Sequence, residues 1–166
     1  MHADSTPDTA GLLDRIVAEA LPGGRGVAAW RALLRAHATL MRQLDTDLQQ
    51  ETGLRLADFD VLAQLAEAGG ALRMTELAGR ALLSRSGMTR RVARLVSEGL
   101  VRRTNADDDA RGVVVALTAA GVARLSATAP VHLRGVAHRF VAPLDDQELA
   151  VLERALAKVT VDCTFG

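Results

Sequence analysis

The side chains of this sequence that could do chemistry are concentrated between positions 73 and 118, where arginine is the most frequent charged residue. The segment 73–111 has nine arginines against five acidic residues, so its net charge is +4. The whole chain has 20 basic and 20 acidic residues, so the remainder carries −4. A basic segment in a neutral chain is typical of a surface that meets the phosphates of nucleic acid.

The elements predicted around these arginines follow the order helix, turn, helix and hairpin. A short helix is predicted from about Met74 to Ala81, and a longer helix begins at Ser84, which has the side chain of an N-cap. Two β-prone runs follow, 100–104 and 113–117, joined by an acidic turn. The order predicts a winged helix-turn-helix, and the fold class is mainly α with a two-stranded β-wing.

The helix that begins at Ser84 divides into an apolar face and a polar face. The apolar positions are spaced as in a helix that packs on its neighbours, and they are Met88, Val92, Leu95 and Val96. Arginine, serine and threonine on the other face suit base edges and phosphates in the major groove of DNA. The residues of this helix assigned to DNA are Ser84, Arg85, Ser86, Thr89, Arg90 and Arg94.

The turn of the hairpin supplies a second candidate contact. Arg111 ends an otherwise acidic tip, and an arginine there can enter the narrow minor groove, where the potential is most negative. Asp109 lies two residues earlier and can orient the guanidinium. The alternative is an acidic turn exposed to solvent.

Long helices are predicted on both sides of this region, and their leucine-rich stripes need another helix or another subunit to cover them. Two precede it, at about 9–21 and 27–51, and Pro22-Gly23-Gly24 separates them. A third spans 56–68, followed by a possible short strand at 71–73. After Thr118, a helix kinked at Pro130 ends at Pro143, and a capping box at 145–148 introduces the last helix. The predicted regions are 1–24 (tail and extra helix), 25–53 (dimerisation helix), 54–118 (winged helix-turn-helix) and 119–166 (C-terminal dimerisation helices).

Several linked motifs in this stretch resemble the core of MarR-family transcriptional regulators, and the likeness extends over about 27–161. The resemblance implies a homodimer that binds a near-palindromic operator in double-stranded DNA. It also implies that most members are repressors, released from DNA by small aromatic or phenolic anions. The motif residues are Thr89-Arg90, Val92, Leu95, Gly99-Leu100-Val101, Arg103, Asp109-Ala110-Arg111, Leu117-Thr118 and Gly121.

The chain is also similar to the urate-responsive subgroup of that family, through LLDRI at 12–16 and APLDDQELAVLE at 142–153. By position, Asp60, Arg91 and Arg103 match three residues that the subgroup uses to sense its ligand. The subgroup's tryptophan would fall near Ala20, where this chain has none. An ion pair of Asp60 with Arg91 that has only a structural role is the alternative. Further candidates for a ligand pocket, or for the dimer core, are Trp30, His37 and Met41.

The composition excludes other classes of protein. No nucleophile elbow or phosphate-binding loop is present, the chain has no tyrosine, and its four histidines lack the spacing of a metal site, so we expect no enzyme, metal or cofactor. No apolar run of about 18 residues suggests a membrane span. A single cysteine, Cys163, fits a cytoplasmic protein. The alternative function is a winged-helix module that binds protein without binding an operator.

Overall fold

Helices form most of the chain in the computed structural model, which describes residues 11–80, 85–106 and 109–160. Backbone contacts separate the chain into two units, Met1–Thr39 and Leu40–Gly166. A 3₁₀ turn at Pro22–Gly24 follows the first helix, and a π-helical segment at Ala137–Val141 follows the sixth. The α-helices are α1 (Leu12–Ala20), α2 (Val27–Thr52), α3 (Leu56–Glu67), α4 (Met74–Arg80), α5 (Arg85–Ser97), α6 (Ala119–Val136) and α7 (Asp146–Thr160).

The first unit consists of α1 and the beginning of α2. The predicted stop after α1 is confirmed, because Gly23, Gly24 and Gly26 all adopt positive φ before α2 begins at Val27. No residue of α1 is buried, and the Trp30 residue of α2 is 58% exposed. The apolar stripes predicted for this unit are therefore uncovered in a single chain.

Side-chain hydrogen bonds hold the corner between α2 and α3. Asp45 accepts a hydrogen bond from the backbone N–H of Leu56 at 2.8 Å, and its second oxygen lies 3.4 Å from Arg55. Gly53 ends α2 with φ +72°, as expected of a C-cap glycine. The corner fixes where α3 begins, and α3 carries the carboxylate that binds two arginines of α5.

The core of the second unit lies among α3, α4, α5 and the sheet. The apolar positions predicted for α5 are confirmed, except that Val96 is 37% exposed. Leucine and valine make up most of this core. Its fully buried side chains include Leu48, Val61, Leu62, Leu65, Leu77, Met88, Val92, Leu95 and Val115.

The sheet has three antiparallel strands in the order β1-β3-β2, where β1 is Ala71–Arg73, β2 is Val101–Ala106 and β3 is Asp109–Leu117. The predicted wing hairpin is present, and the short predicted strand β1 adds a third strand by pairing with β3. Leu72, Val115 and Arg103 stand opposite one another in the register, so Arg103 shares the face of the sheet on which Val115 is buried.

Caps predicted from the sequence begin the last two helices. Thr118 accepts a hydrogen bond from the N–H of Gly121 at 3.0 Å at the start of α6. The capping box is confirmed, since Asp145 and Glu148 each accept a hydrogen bond from the other's backbone N–H, at 2.8 and 2.9 Å. α6 continues through Pro130 and passes at Ala137 into the π-helical segment, which the sequence pattern did not predict.

Arginines of α6 and of the π-helical segment bind the C-terminal half of α2. Arg124 donates to the carbonyl oxygen of Thr52 at 2.5 Å, which satisfies an acceptor at the end of α2. Arg139 makes two hydrogen bonds of 2.9 Å to Asp47. Two hydrogen bonds from one guanidinium to one carboxylate have a fixed geometry. This contact therefore defines the position of the π-helical segment relative to the C-terminal half of α2.

Replacing Gly121 with alanine should destabilise the second unit, because a Cβ there would overlap the backbone carbonyl oxygen of Leu100. We expect the free energy of unfolding to fall by about 1–3 kcal/mol, as is usual for overpacking. Gly79 is the control: it is exposed in α4, and a Cβ added there would meet no atom within 4 Å, so Gly79→Ala should be neutral or stabilising. Urea unfolding measures both, and equal effects would contradict the assigned contact.

Candidate nucleic-acid interface

Packing of one face of α5 leaves its opposite face in solvent. Met88, Val92 and Leu95 are fully buried against the preceding helices. Ser86, Thr89 and Arg90 are exposed, and their spacing of three and four residues places them on one side of the helix. The structure therefore brings three of the predicted DNA-binding residues together on one accessible face.

Other predicted DNA-binding residues are not covered by this description. Ser84 lies outside the described residues, as do the side chains of Arg85, Asp109 and Arg111. Their assignment stays a prediction from the sequence. The backbone of Arg85 begins α5, and that of Asp109 and Arg111 belongs to β3.

Arg94, also predicted to face DNA, is ion-paired within the chain. Its Nη2 donates to Oδ2 of Asp58, and its Nε lies 3.9 Å from Oε1 of Glu98. Arg91 donates from Nη1 to Oδ1 of the same Asp58 at 3.0 Å. The predicted ion pair of Arg91 with Asp60 is thus corrected: the carboxylate that binds Arg91 is Asp58. Both acids lie on α3, and spacing alone could not distinguish them.

A polar cluster that includes His132 lies beside this ion pair. The His132 ring is 4.6 Å from the Phe59 ring, between centroids. Nε of Arg91 and Nδ1 of His132 are buried without a hydrogen-bond partner, an arrangement that costs free energy in a folded protein. The sequence assigns His132 no role and does not reveal this position, because residues of α3 and α6 meet only through the fold.

Burial shifts the pKa values of Asp60 and His132, which lie in this cluster. It raises the pKa of the Asp60 carboxyl, although a hydrogen bond with Gln64 and the charge of Arg91 oppose the shift. Burial lowers the pKa of His132, and the charge of Asp60 opposes that shift. Relative to the free side chains, burial therefore disfavours the charged forms of Asp60 and His132, a perturbation found in ligand-binding and catalytic sites as well as in buried ion clusters.

The remaining predicted ligand-binding residues are all exposed. Trp30 and His37 are exposed residues of the first unit, whereas Met41 and Arg103 are exposed residues of the second. Asp60 and Arg91 are the predicted pair that the structure brings within electrostatic range. Among the described residues, no group of three acidic, histidine or cysteine side chains could hold a metal ion.

Comparison with known proteins agrees with this geometry. A family model described as the MarR family matches residues 52–112, which contain α4, α5 and most of the sheet. A MarR family regulator from Streptomyces coelicolor, solved in complex with DNA, is 34% identical, with a TM-score of 0.75 over 80% of this chain and 84% of that one. The chain belongs to the MarR family of transcriptional regulators.

Two further MarR family structures support the assignment. AbsC from Streptomyces coelicolor is 33% identical, with a TM-score of 0.74 over 80% of this chain and 90% of AbsC. A mutant of MarR from E. coli, complexed with operator DNA, is 27% identical, with a TM-score of 0.70 over 86% of this chain and 96% of that one. Among curated proteins, no sequence matches the chain. The described part of the chain has no helix long and apolar enough to cross a membrane.

Membership of the family confirms the predicted winged helix-turn-helix and the prediction that the protein is a transcriptional regulator and not an enzyme. The matched segment 52–112 ends inside β3, so it covers the candidate DNA-contacting residues of α5 together with the wing tip. The solved relatives match 80% and 86% of the chain, so the structural likeness extends beyond this segment.

Asp60→Asn should stabilise the MarR-family regulator at neutral pH. Because the folded-state pKa of Asp60 is raised, the ionised carboxylate opposes folding, and stability from this group is lost as pH rises through that pKa. The gain from Asp60→Asn should be largest above the raised pKa and shrink towards the ordinary value of 3.8. Urea unfolding at several pH values measures the gain, with Glu153→Gln, an exposed carboxylate, as control. A loss of stability at pH above 7 would contradict this expectation.

Proposed function

We propose that the chain binds a specific sequence in double-stranded DNA as a homodimer and represses transcription from nearby genes. The exposed face of α5 carries this proposal, because Ser86, Thr89 and Arg90 project from a helix whose opposite face is buried. A single helix fits the major groove, and its exposed side chains then meet base edges. A regulator of this kind would act in the cytoplasm.

The chemistry of the exposed face suits sequence recognition. Arg90 can make two parallel hydrogen bonds to guanine, while the hydroxyls of Ser86 and Thr89 can serve either bases or phosphates. The proposal retains the prediction from the sequence that Ser84 and Arg85 contact DNA, with the phosphates as their partners. Arg111 inserts into the minor groove at the wing, and Asp109 orients it.

Uncovered apolar side chains in the second unit support a second copy as the partner. No residue of α7 is buried: in its apolar stripe Leu156 is 36% exposed, and Leu149 and Leu152 are partly exposed. On α6, Leu133 is 62% exposed. Apolar faces of this length are stable in water only when another surface covers them. Intertwined terminal helices of two chains would cover them and place two copies of α5 on one operator.

The proposal includes an effector, a small aromatic or phenolic anion, and supports it with the cluster around Asp60. Arg91 supplies a cation there, His132 and Phe59 supply rings, and the pKa values of Asp60 and His132 are shifted. The resemblance to the urate-responsive subgroup adds Arg103 to the proposed contacts. Met41, which belongs to the same unit, is a further proposed contact of the effector.

Replacing Arg90 with alanine should weaken binding to the operator by about 1–3 kcal/mol and relax the preference for one base, since the side chain that bonds to that base is removed. The measurement is a gel shift with a duplex selected by the wild-type protein from a random library. Arg25→Ala, an exposed arginine outside the helix-turn-helix and the wing, is the matched control. If both variants bind like the wild type, α5 is not the reading helix.

Arg111→Ala tests the wing separately. We expect operator binding to weaken by about 1–3 kcal/mol for each wing that no longer reaches the minor groove. The effect should be greater on duplexes with a narrow A·T-rich minor groove under the wing than on G·C-rich ones. A variant with unchanged affinity on both kinds of duplex would contradict the wing contact. A wild-type protein that binds no selected duplex, and whose binding is insensitive to salt, would favour the protein-interaction module.

Leu156→Glu should weaken the dimer, because it places a charge in the apolar stripe of α7 that the second copy covers. We expect the dissociation constant of the dimer to rise at least tenfold, on the order of 1.4 kcal/mol. Light scattering over a range of micromolar concentrations measures the change. Lys158→Glu, on the same helix but outside the stripe, controls for the added negative charge. A folded wild-type monomer at these concentrations would refute the dimer.

A further inference from the structure

One buried carboxylate on α3 joins two arginines of α5. Asp58 is 3% exposed, and its two oxygens are divided between the arginines: Oδ1 accepts from Arg91 at 3.0 Å, and Oδ2 accepts from Arg94. The arginines are three residues apart, so they lie on the same side of α5. α3 therefore holds α5 by a two-point, charge-assisted contact in addition to apolar packing.

The two kinds of contact do different things for the orientation of α5. Burial of Met88, Val92 and Leu95 is favourable but non-directional, and it tolerates small rotations of the helix. Hydrogen bonds to a buried carboxylate have narrow ranges of distance and angle. A buried ion pair adds little net stability, because desolvation offsets the attraction, but a broken one leaves an uncompensated charge. Asp58 thus contributes mainly to the position of α5.

The same contact changes the role of Arg94. Its side chain is 47% exposed, but its guanidinium charge is shared with Asp58 and with Glu98. The four charged groups Arg91, Arg94, Asp58 and Glu98 sum to zero. A cation balanced in this way releases few counterions when DNA binds, whereas an unpaired arginine on a phosphate releases about one.

We propose that Asp58 is a positioning residue for sequence recognition: it orients α5 through Arg91 and Arg94, so that Arg94 acts as an anchor and not as a phosphate contact. This role rests on the proposed DNA binding. Asp58 would then contribute to sequence specificity although it does not lie on the DNA-contacting side of α5. Ser86, Thr89 and Arg90 then read bases only because α5 is held at one rotation.

Asp58→Asn tests the assignment, since asparagine keeps the shape and removes the charge. Two duplexes of equal length are compared, one selected by the wild-type protein from a random library and one with the same bases shuffled. We expect at least tenfold weaker binding to the selected duplex and equal or tighter binding to the shuffled one, because Arg94 becomes available to phosphates. The proposal would be overturned if the ratio of these two affinities in Asp58→Asn lay within twofold of the same ratio in the wild-type protein.

Arg94→Ala provides the second variant. Because the Arg94 side chain is half exposed to solvent, this substitution should destabilise the fold less than a substitution of the buried Asp58. If Arg94 is an anchor, Arg94→Ala should lower the ratio of the affinity for the selected duplex to the affinity for the shuffled duplex. The slope of log affinity against log salt concentration should not change. A phosphate contact predicts a slope reduced by about 0.9 and an unchanged ratio, which would overturn the proposal. In the double variant with Asp58→Asn the effects on affinity should be non-additive, because both substitutions break one interaction.

Glu98→Gln is the matched control, because it removes an exposed negative charge beside Arg94 without touching the buried contact. It should strengthen binding to both duplexes equally and leave their ratio unchanged. Thermal unfolding of each variant separates loss of orientation from loss of folding. If the wild-type protein prefers no duplex, the proposed function fails and this inference fails with it. If the wild type prefers one and the variants keep that preference, only this inference fails.

Discussion

The rest of the second unit depends on the burial of one face of α5. Met88, Val92 and Leu95 have no accessible surface, and they contact a core to which α3, α4 and the sheet all contribute. Because these three side chains are fixed, the residues on the opposite face must meet solvent or a partner. The corner at Asp45, the close approach of Gly121 to Leu100 and the pairing of β1 with β3 fix other elements of the same unit.

Charge in this protein is organised by pairing. Arg91 and Arg94 are bound by Asp58, and Arg139 is bound by Asp47. Arg90 is exposed on the side of α5 that carries Ser86 and Thr89. A count of arginines along the sequence treats all of these as equivalent, although acidic partners give several of them structural roles. The positive potential available to DNA is therefore smaller and more localised than the composition indicates.

The exposed apolar surfaces of the chain lie on helices outside the core of the helix-turn-helix. A small core serves the helix-turn-helix and the sheet, while α7 and α1 bury no residue in the single chain. Helices that carry apolar stripes without a covering surface are ordinary parts of an obligate dimer and unusual in a monomer. In a dimeric regulator, a change in the packing of these helices can alter the distance between two reading helices.

Most of the local structure was predictable from the sequence. The bounds of α2, the cap at Thr118, the capping box at Asp145, the buried face of α5 and the hairpin all depend on residues within a few positions of one another. The family also follows from linked local motifs. The exposure of Ser86, Thr89 and Arg90 follows in turn from the period of the helix.

Contacts between distant segments were decided only by the tertiary structure. The sequence suggested Asp60 as the partner of Arg91, but in the fold Arg91 binds Asp58, which lies 33 positions before it on α3. The fold also bound Arg94 to Asp58 and placed His132 against Phe59. Two carboxylates two residues apart point in different directions on a helix. The one that reaches an arginine is therefore set by the relative rotation of two helices, which no local pattern in the sequence encodes.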